Sequence, residues 1–540
     1  MQSAQSQKAT QADDRARGAA SLYLGTPGAS GASGASGAEL PSKKKWSAAQ
    51  LAAIEIREKN LLVSAAAGSG KTAVLIERVI RLLREGEQLR EMLIVTFTKA
   101  AAAELRARLF ESALTAATDG DALLAEQISW IDQADIRTLH SFCAQIIRAH
   151  FQSADVDPTF RTLDPSQAAE LRELALRDAL IEWYSGENPD ALALAQCREP
   201  GDNADDAVQL YDFLTARPQP WSWFNAALGR IPTDAAALFE SDTIRAHLAS
   251  ISWKMQSSAD SFDRLSRMIS KYPGGAPFAR ISASDAAQCR ALAIAANGGC
   301  GAQPHLVRGG GAEPRTNAYA AYSKACGAFK WATKPRAKTD DEREASIIFS
   351  SIRDPIKKRV DNERETAVYE KPPDEHVRDA IVMKSQINAI ADLTRMFDTR
   401  YDALKEERAC LDYSDLEQRA LRALDDPLVA QCLRERYAHI FVDEYQDSTP
   451  LQEALLQKIT RGRNLFLVGD VKQSIYRFRD ADPTLFLEKY LKYPTLETAA
   501  ENDDCLRINL DRNYRSTPEI LDAVNGVFSR IQRTRTLGID

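Results

Sequence analysis

Apolar residues in this chain form short unbroken runs at a few places and recur at helical spacing almost everywhere else. Leu61-Leu62-Val63 passes through Ser64 toward Gly68-Ser69-Gly70, and Met92-Leu93-Ile94-Val95 ends in Thr96-Phe97. Ile440-Phe441-Val442 stops at Asp443-Glu444, and Leu465-Phe466-Leu467-Val468 stops at Gly469. Runs of this length without polar alternation predict strands buried on both faces, the composition of a parallel sheet. The fold class expected is therefore α/β, with helix, strand and helix alternating from Trp46 to about Arg108. Residues 43–110 should form the first part of this sheet domain and residues 436–505 the second. Between them, 111–435 predicts a mainly helical insertion, with 135–150 returning to the sheet core. Within the insertion 272–316 is expected to be loop-rich, because Pro273-Gly274-Gly275, Gly298-Gly299-Cys300-Gly301 and Gly309-Gly310-Gly311 interrupt helices. Residues 1–42, polar and then repeating Gly-Ala-Ser, predict a disordered extension, and 506–540 the start of a further domain.

The chemistry sits where the runs end. A strand breaking into a glycine turn and then a helix aims unpaired N–H groups at one point, where the helix dipole also favours negative charge. Ala65, Ala66, Ala67, Gly68, Ser69 and Gly70 would form such a cradle for phosphates. Lys71 would reach the terminal phosphates, and Thr72 would offer a hydroxyl to Mg2+. Asp443 would complete the metal's oxygen shell, and Glu444 would orient and deprotonate a water. The strict phosphate-loop pattern has glycine where this chain has Ala65, so the match is to the GxGKT core. Helix capping is the rival account of Asp443-Glu444 alone; with both signatures in one chain, the expected ligand is ATP.

Composition constrains the partners. The chain has 540 residues, 44% hydrophobic and 27% charged, enough for two to four structural units, and a formal net charge of −7. A uniformly basic coat is thereby excluded, so any nucleic-acid site must be a local groove. Eight scattered cysteines without a CxxC pair fit reduced thiols and a cytoplasmic location. No apolar run approaches the roughly 20 residues needed to cross a bilayer, so no membrane association is expected.

Three further segments place aromatics beside polar groups at strand exits: Thr96-Phe97-Thr98-Lys99, Thr138-Leu139-His140-Ser141-Phe142-Cys143, and Lys472-Gln473-Ser474-Ile475-Tyr476-Arg477-Phe478-Arg479. Rings there can stack on bases of a single strand without reading their order. Core packing is an equal alternative for Phe97 and Phe142. Tyr476 and Phe478, set among Lys472, Arg477 and Arg479, favour binding.

The set GSGKT, VTFTKAAAAELRARL, TLHSFC, LDYSDLE, VDEYQDSTPLQ, VGDVKQSIYRFRDADP and LDRNYRSTPEIL occurs in the order found in superfamily 1 helicases of the UvrD/Rep type. Within that family the wording is most similar to the AddA subunits of bacterial AddAB helicase-nucleases. The resemblance implies a P-loop NTPase sheet of the RecA-like motor kind, carrying a helical insertion and followed by a second motor domain. It also implies 3′ to 5′ movement on single-stranded DNA, action at duplex ends in double-strand break repair, and an AddB-like partner. By the same resemblance Gln50 recognises adenine, Tyr514 stacks on it, Gln473 senses the γ-phosphate, and Arg515 stabilises charge on the transferring group. Thr96, Phe97, Thr98, His140, Phe142, Tyr476 and Phe478 would line the single-strand track. Ala73 departs from an arginine seen in many UvrD-type members. Little sequence follows Arg515, so the later motor motifs and the nuclease domain of AddA are expected to lie outside this chain. A nucleotide-gated DNA-binding module without unwinding is the alternative.

Overall fold

The computed structural model describes residues 46–186, 188–234, 237–238, 241–297, 316–364 and 373–531. The expected disorder of 1–42 lies outside them, as do the glycine runs at 298–301 and 309–311. Eight strands occur among the described residues: β1 (Asn60–Ala65), β2 (Met92–Thr96), β3 (Asp135–Thr138), β4 (Arg161–Thr162), β5 (Cys410–Leu411), β6 (His439–Val442), β7 (Leu465–Gly469) and β8 (Cys505–Leu510). Six of them form one sheet in the order β3-β2-β6-β7-β1-β8, every pairing parallel, and β4 pairs with β5 apart from it.

The unbroken apolar runs are explained by what covers the sheet. Side chains alternate between the two faces of a strand: Leu61, Val63, Ile94, Phe441, Phe466 and Val468 enter one core, while Leu62, Leu93, Val95, Ile440, Val442, Leu465 and Leu467 enter the other. Helix Lys71–Arg84 closes the first face through Val74, Leu75, Val79, Ile80 and Leu83. Helices Leu139–Ala149, Tyr413–Leu424 and Pro450–Ile459 contribute to the second. Each fully buried Leu, Ile, Val or Phe stabilises the fold by about 1.5–3 kcal/mol relative to exposure. The α/β class with a parallel central sheet is as the apolar pattern predicted.

Two boundaries differ from expectation. β8 pairs with β1 over six positions, from Asn60 opposite Cys505 to Ala65 opposite Leu510, so a division at 505/506 would fall inside a strand of the first sheet. As an edge strand it alternates, burying Leu506, Ile508 and Leu510 and leaving Asn509 exposed, and so it lacks a continuous apolar run. β3 likewise has one aliphatic residue, Ile136, and is held by the register Ile94–Ile136.

The chain divides into two compact units. The first contains the described parts of Met1–Glu182 and Thr394–Asp540 together with Ala204–Trp221, and holds the sheet. The second, Trp183–Asn203 with Ser222–Leu393, is helical among its described residues. It is therefore narrower than the insertion expected at 111–435. Its core joins helices Asp242–Ile269, Ala276–Ala296 and Asp340–Arg364 through Leu248, Met255, Phe262, Phe278, Leu292 and Phe349. The expected loop at 272–316 is corrected over its described part. Gly274, at φ 68°, and Gly275 make a tight turn, and a Cβ on Gly275 would sit 1.8 Å from the Ile269 carbonyl oxygen. Beyond that turn Phe278, Ser282, Cys289, Leu292 and Ala296 recur on one buried face and specify a helix.

Candidate nucleotide and nucleic-acid site

β1 ends at Ala65, whose side chain is buried, and the chain turns through Ala66, Ala67 and Gly68 into the helix starting at Lys71. Gly68 and Gly70 have φ of 72° and 86°, a left-handed conformation that favours glycine. The turn is pinned through its carbonyls. Gln50 Nε2 donates to Ser69 O at 3.0 Å, Asn513 Nδ2 to Ala67 O at 2.8 Å, and the Tyr514 N–H to Gly68 O at 2.8 Å. A Cβ on Gly68 would lie 2.6 Å from Asn513 Nδ2, so glycine is required for space as well as for φ. With the carbonyls occupied, the unpaired N–H groups of the first helical turn are left for an anion. The Ser69 hydroxyl is buried without a hydrogen-bond partner. Gln50 also completes a capping box with Ser47, which fixes its amide against the loop.

The acidic pair arrives from the far end of the chain. Asp443 leaves β6 with its N–H bonded to Val95 O at 3.0 Å, and Glu444 follows in a left-handed conformation, φ 52°. Lys71 Nζ lies 3.0 Å from Glu444 Oε2, joining the two signatures across 373 residues. The Asp443 carboxyl is pushed up to about 6 by burial and by the neighbouring Glu444 charge, against the opposing pull of Lys71 and of the Glu444 N–H. A carboxylate disfavoured in this way gains from a bound cation. The hydroxyl of Thr72, one residue into the same helix, adds oxygen-donor chemistry suited to magnesium.

Gln473 is joined to this pair by residues to which the sequence assigned no role. Gln446 is 2% exposed. Its Nε2 donates to Glu444 Oε2 at 2.8 Å, and its Oε1 accepts the Asp470 N–H at 2.9 Å. Asp470 Oδ2 accepts from Gln473 Nε2 at 2.7 Å. Gln446, Asp470 and Asn513 lie within the motifs named above, but nothing local distinguishes a bridging amide from a surface one.

Alongside these groups is a cavity of about 980 Å³ whose walls include Asp443, Glu444, Phe97, His140, Tyr476 and Phe478. Phe97 and Tyr476 have ring centroids 4.7 Å apart, and Tyr476 and Phe478 5.8 Å. Phe478 is 76% exposed, and the Arg479 guanidinium lies within 5.6 Å of both the Tyr476 and Phe478 rings. His140 Nε2 is 3.2 Å from Glu417 Oε1, and its ring meets Tyr413 edge-on at 5.0 Å. Tyr413 and Glu417 also line the cavity, and nothing in the sequence singles them out. Two expected track residues are corrected. Phe142 is 2% exposed and packs edge-on against Tyr437, because helix Leu139–Ala149 turns residues 142, 143, 146 and 147 into the core. Thr96 is buried with its hydroxyl donating to Thr98 O, while Thr98 caps helix Lys99–Thr118. Tyr514 and Arg515 are exposed, and the Arg515 N–H is held by Asn513 Oδ1 at 2.8 Å.

No helix among the described residues is long and apolar enough to cross a membrane. The UvrD/REP helicase N-terminal domain family matches residues 46–494. Proteins named as the AddA component of an ATP-dependent helicase/nuclease are similar over nearly the whole chain. Those of Alkaliphilus oremlandii and Acetivibrio thermocellus are 34% and 33% identical over 92% of it, and that of Desulforudis audaxviator 36% over 91%. The chain spans 40% of the length of each of these relatives. With the phosphate loop, the acidic pair and the glutamine turn on one sheet edge, this match establishes that the chain belongs to the UvrD/REP helicase family and carries its N-terminal domain.

Proposed function

We propose that the chain is the ATP-binding motor portion of an AddA-type helicase that moves 3′ to 5′ on single-stranded DNA and acts at duplex ends in double-strand break repair. The observation that carries this reading is the Lys71–Glu444 pair at 3.0 Å beside the cavity lined by Phe97, Tyr476 and Phe478. Phosphates enter the N–H cradle of residues 66–70 and draw Lys71 toward them. Asp443 and Thr72 would hold magnesium, which neutralises charge developing on the phosphoryl oxygens. Glu444, released from Lys71, orients the attacking water. Gln50 and Tyr514 bracket the loop where the base would lie, and Gln473 faces the terminal phosphate. Bases of the strand stack on Tyr476 and Phe478 at ~1–3 kcal/mol each.

The exposed residues Ile520, Val524, Val527 and Phe528 form one apolar face of helix Pro518–Ile531, which suits cover by further sequence of a second motor domain. An AddB-like partner and a cytoplasmic location complete the proposal. Strand displacement by the full-length gene product tests it, using a duplex with a 3′ single-stranded tail. Displacement with ATP but not with a non-hydrolysable analogue supports a helicase. Nucleotide-dependent DNA binding with no displacement would instead establish a gated binding module.

A further inference from the structure

The hydrogen bonds of Gln446 are unusual in that both ends of one buried amide are committed to loops from different strands. The residue lies in the short turn Tyr445–Asp447 after β6. Its Nε2 donates to Glu444 Oε2 at 2.8 Å and to Asp447 Oδ2 at 3.3 Å, and its Oε1 accepts the Asp470 N–H after β7 at 2.9 Å. Its own carbonyl oxygen accepts from Ser474 Oγ at 3.3 Å. Gln446 therefore touches the residues on either side of the turn Val471–Gln473. Space for this comes from Gly469, where a Cβ would stand 2.3 Å from Gln446 Oε1. A second tie, Asp482 N–H to Ser448 O at 3.0 Å, fastens the far end of the loop to the same segment.

Glu444 Oε2 is also the atom that meets Lys71 Nζ. One carboxylate oxygen thus has two donors, a lysine that a phosphate can draw away and an amide that cannot leave without exposing buried polar atoms. We propose that Gln446 is the positioning residue that transmits occupancy of the nucleotide site to the aromatic loop. When Lys71 turns to a phosphate, Glu444 shifts with only the amide still bound. The rigid amide then carries that shift to the Asp470 N–H and, through the Asp470 carboxylate, to Gln473 Nε2. Tyr476 lies three residues further on and is stacked against Phe97, so displacement of the turn alters the stacking platform. Because solvent cannot replace either bond at a residue 2% exposed, the path has no parallel through water.

The inference rests on the proposed motor reading, and the test separates the two. ATP hydrolysis by the full-length gene product is measured with and without single-stranded DNA, for the wild-type protein, Gln446→Met and Gln446→Glu. Methionine keeps the volume and loses both bonds; glutamate keeps the acceptor for the Asp470 N–H and loses the donor to Glu444. In both variants the ratio of stimulated to basal turnover is expected to fall by about tenfold, with affinity for a fluorescent ATP analogue within about threefold of wild type. A residue that only packs the loop would keep the ratio in Gln446→Glu. Either variant, if the other does not fold, decides the matter. A wild-type ratio in a folded variant overturns the relay alone, whereas a wild-type protein that DNA does not stimulate overturns the motor reading and the relay with it.

Discussion

Two carboxylates removed from water, one in each unit, meet opposite fates. Asp285, in the helical unit, is 0% exposed and fully answered: Arg353 Nε donates to it at 2.8 Å, the Ala332 N–H donates at 3.1 Å, and Arg353 also donates to Ala332 O at 2.8 Å. Asp443, at the exit of β6, receives the Glu444 N–H at 3.0 Å and faces the Glu444 carboxylate. Burial with a full set of partners locks Trp331 and the segment beside it to helix Asp340–Arg364. Burial without them leaves Asp443 pushed up to about 6, a site incomplete until a cation arrives. The difference teaches that charge in a fold has structural meaning when it is paired and chemical meaning when it is not.

The largest effect that would sharpen this contrast is on chemistry. Glu444→Gln should lower ATP turnover by ~10²–10⁴-fold, measured by phosphate release. Its urea midpoint should hardly move, because a partly exposed lysine–carboxylate pair is worth only ~0–1 kcal/mol. Next, Arg353→Ala should destabilise the protein by about 3–5 kcal/mol in urea titration. Nucleotide affinity should persist below the transition; coincident loss of both would break the contrast. For the aromatic residues, Phe142→Ala should cost about 3–5 kcal/mol of stability. Phe478→Ala should spare stability and weaken single-stranded DNA binding by ~1–3 kcal/mol, read by fluorescence anisotropy. The smallest effect is the pH response of Asp443. Its native-state pKa is raised, so the ionised form destabilises the nucleotide-free protein above pH 6, and stability returns as pH falls through 6 toward the ordinary value of 3.8. Asp443→Asn should therefore be more stable than wild type at pH 7.5 by about 1 kcal/mol, and the advantage should vanish near pH 4. An advantage unchanged at low pH would remove charge as its cause.

Much of this was legible in the chain. Central strands β1, β2, β6 and β7 carry their burial in unbroken apolar runs, and the phosphate loop announces itself by glycine spacing. Edge strands β3 and β8 do not, because half of their side chains face away from the core. Helix Ala276–Ala296 was obscured by the Gly274-Gly275 turn that precedes it, since glycine marks the end of a helix as readily as the start of a long loop. At the site, Lys71, Asp443 and Glu444 were legible because their chemistry is specific. Gln446, Asn513 and Glu417 were not, because a neutral amide or a lone carboxylate acquires meaning only from the distant group it touches. Phe142 was misplaced for a related reason: a motif shows which residues travel together and not which way a helix turns them.

The most direct test of the central claim, that phosphate loop, acidic pair and aromatic platform work as one site, is ATP hydrolysis by the full-length gene product with and without single-stranded DNA at low and high salt. The account predicts severalfold stimulation that weakens as salt rises, because phosphate contacts release counterions. Hydrolysis indifferent to DNA at both salt concentrations would contradict it.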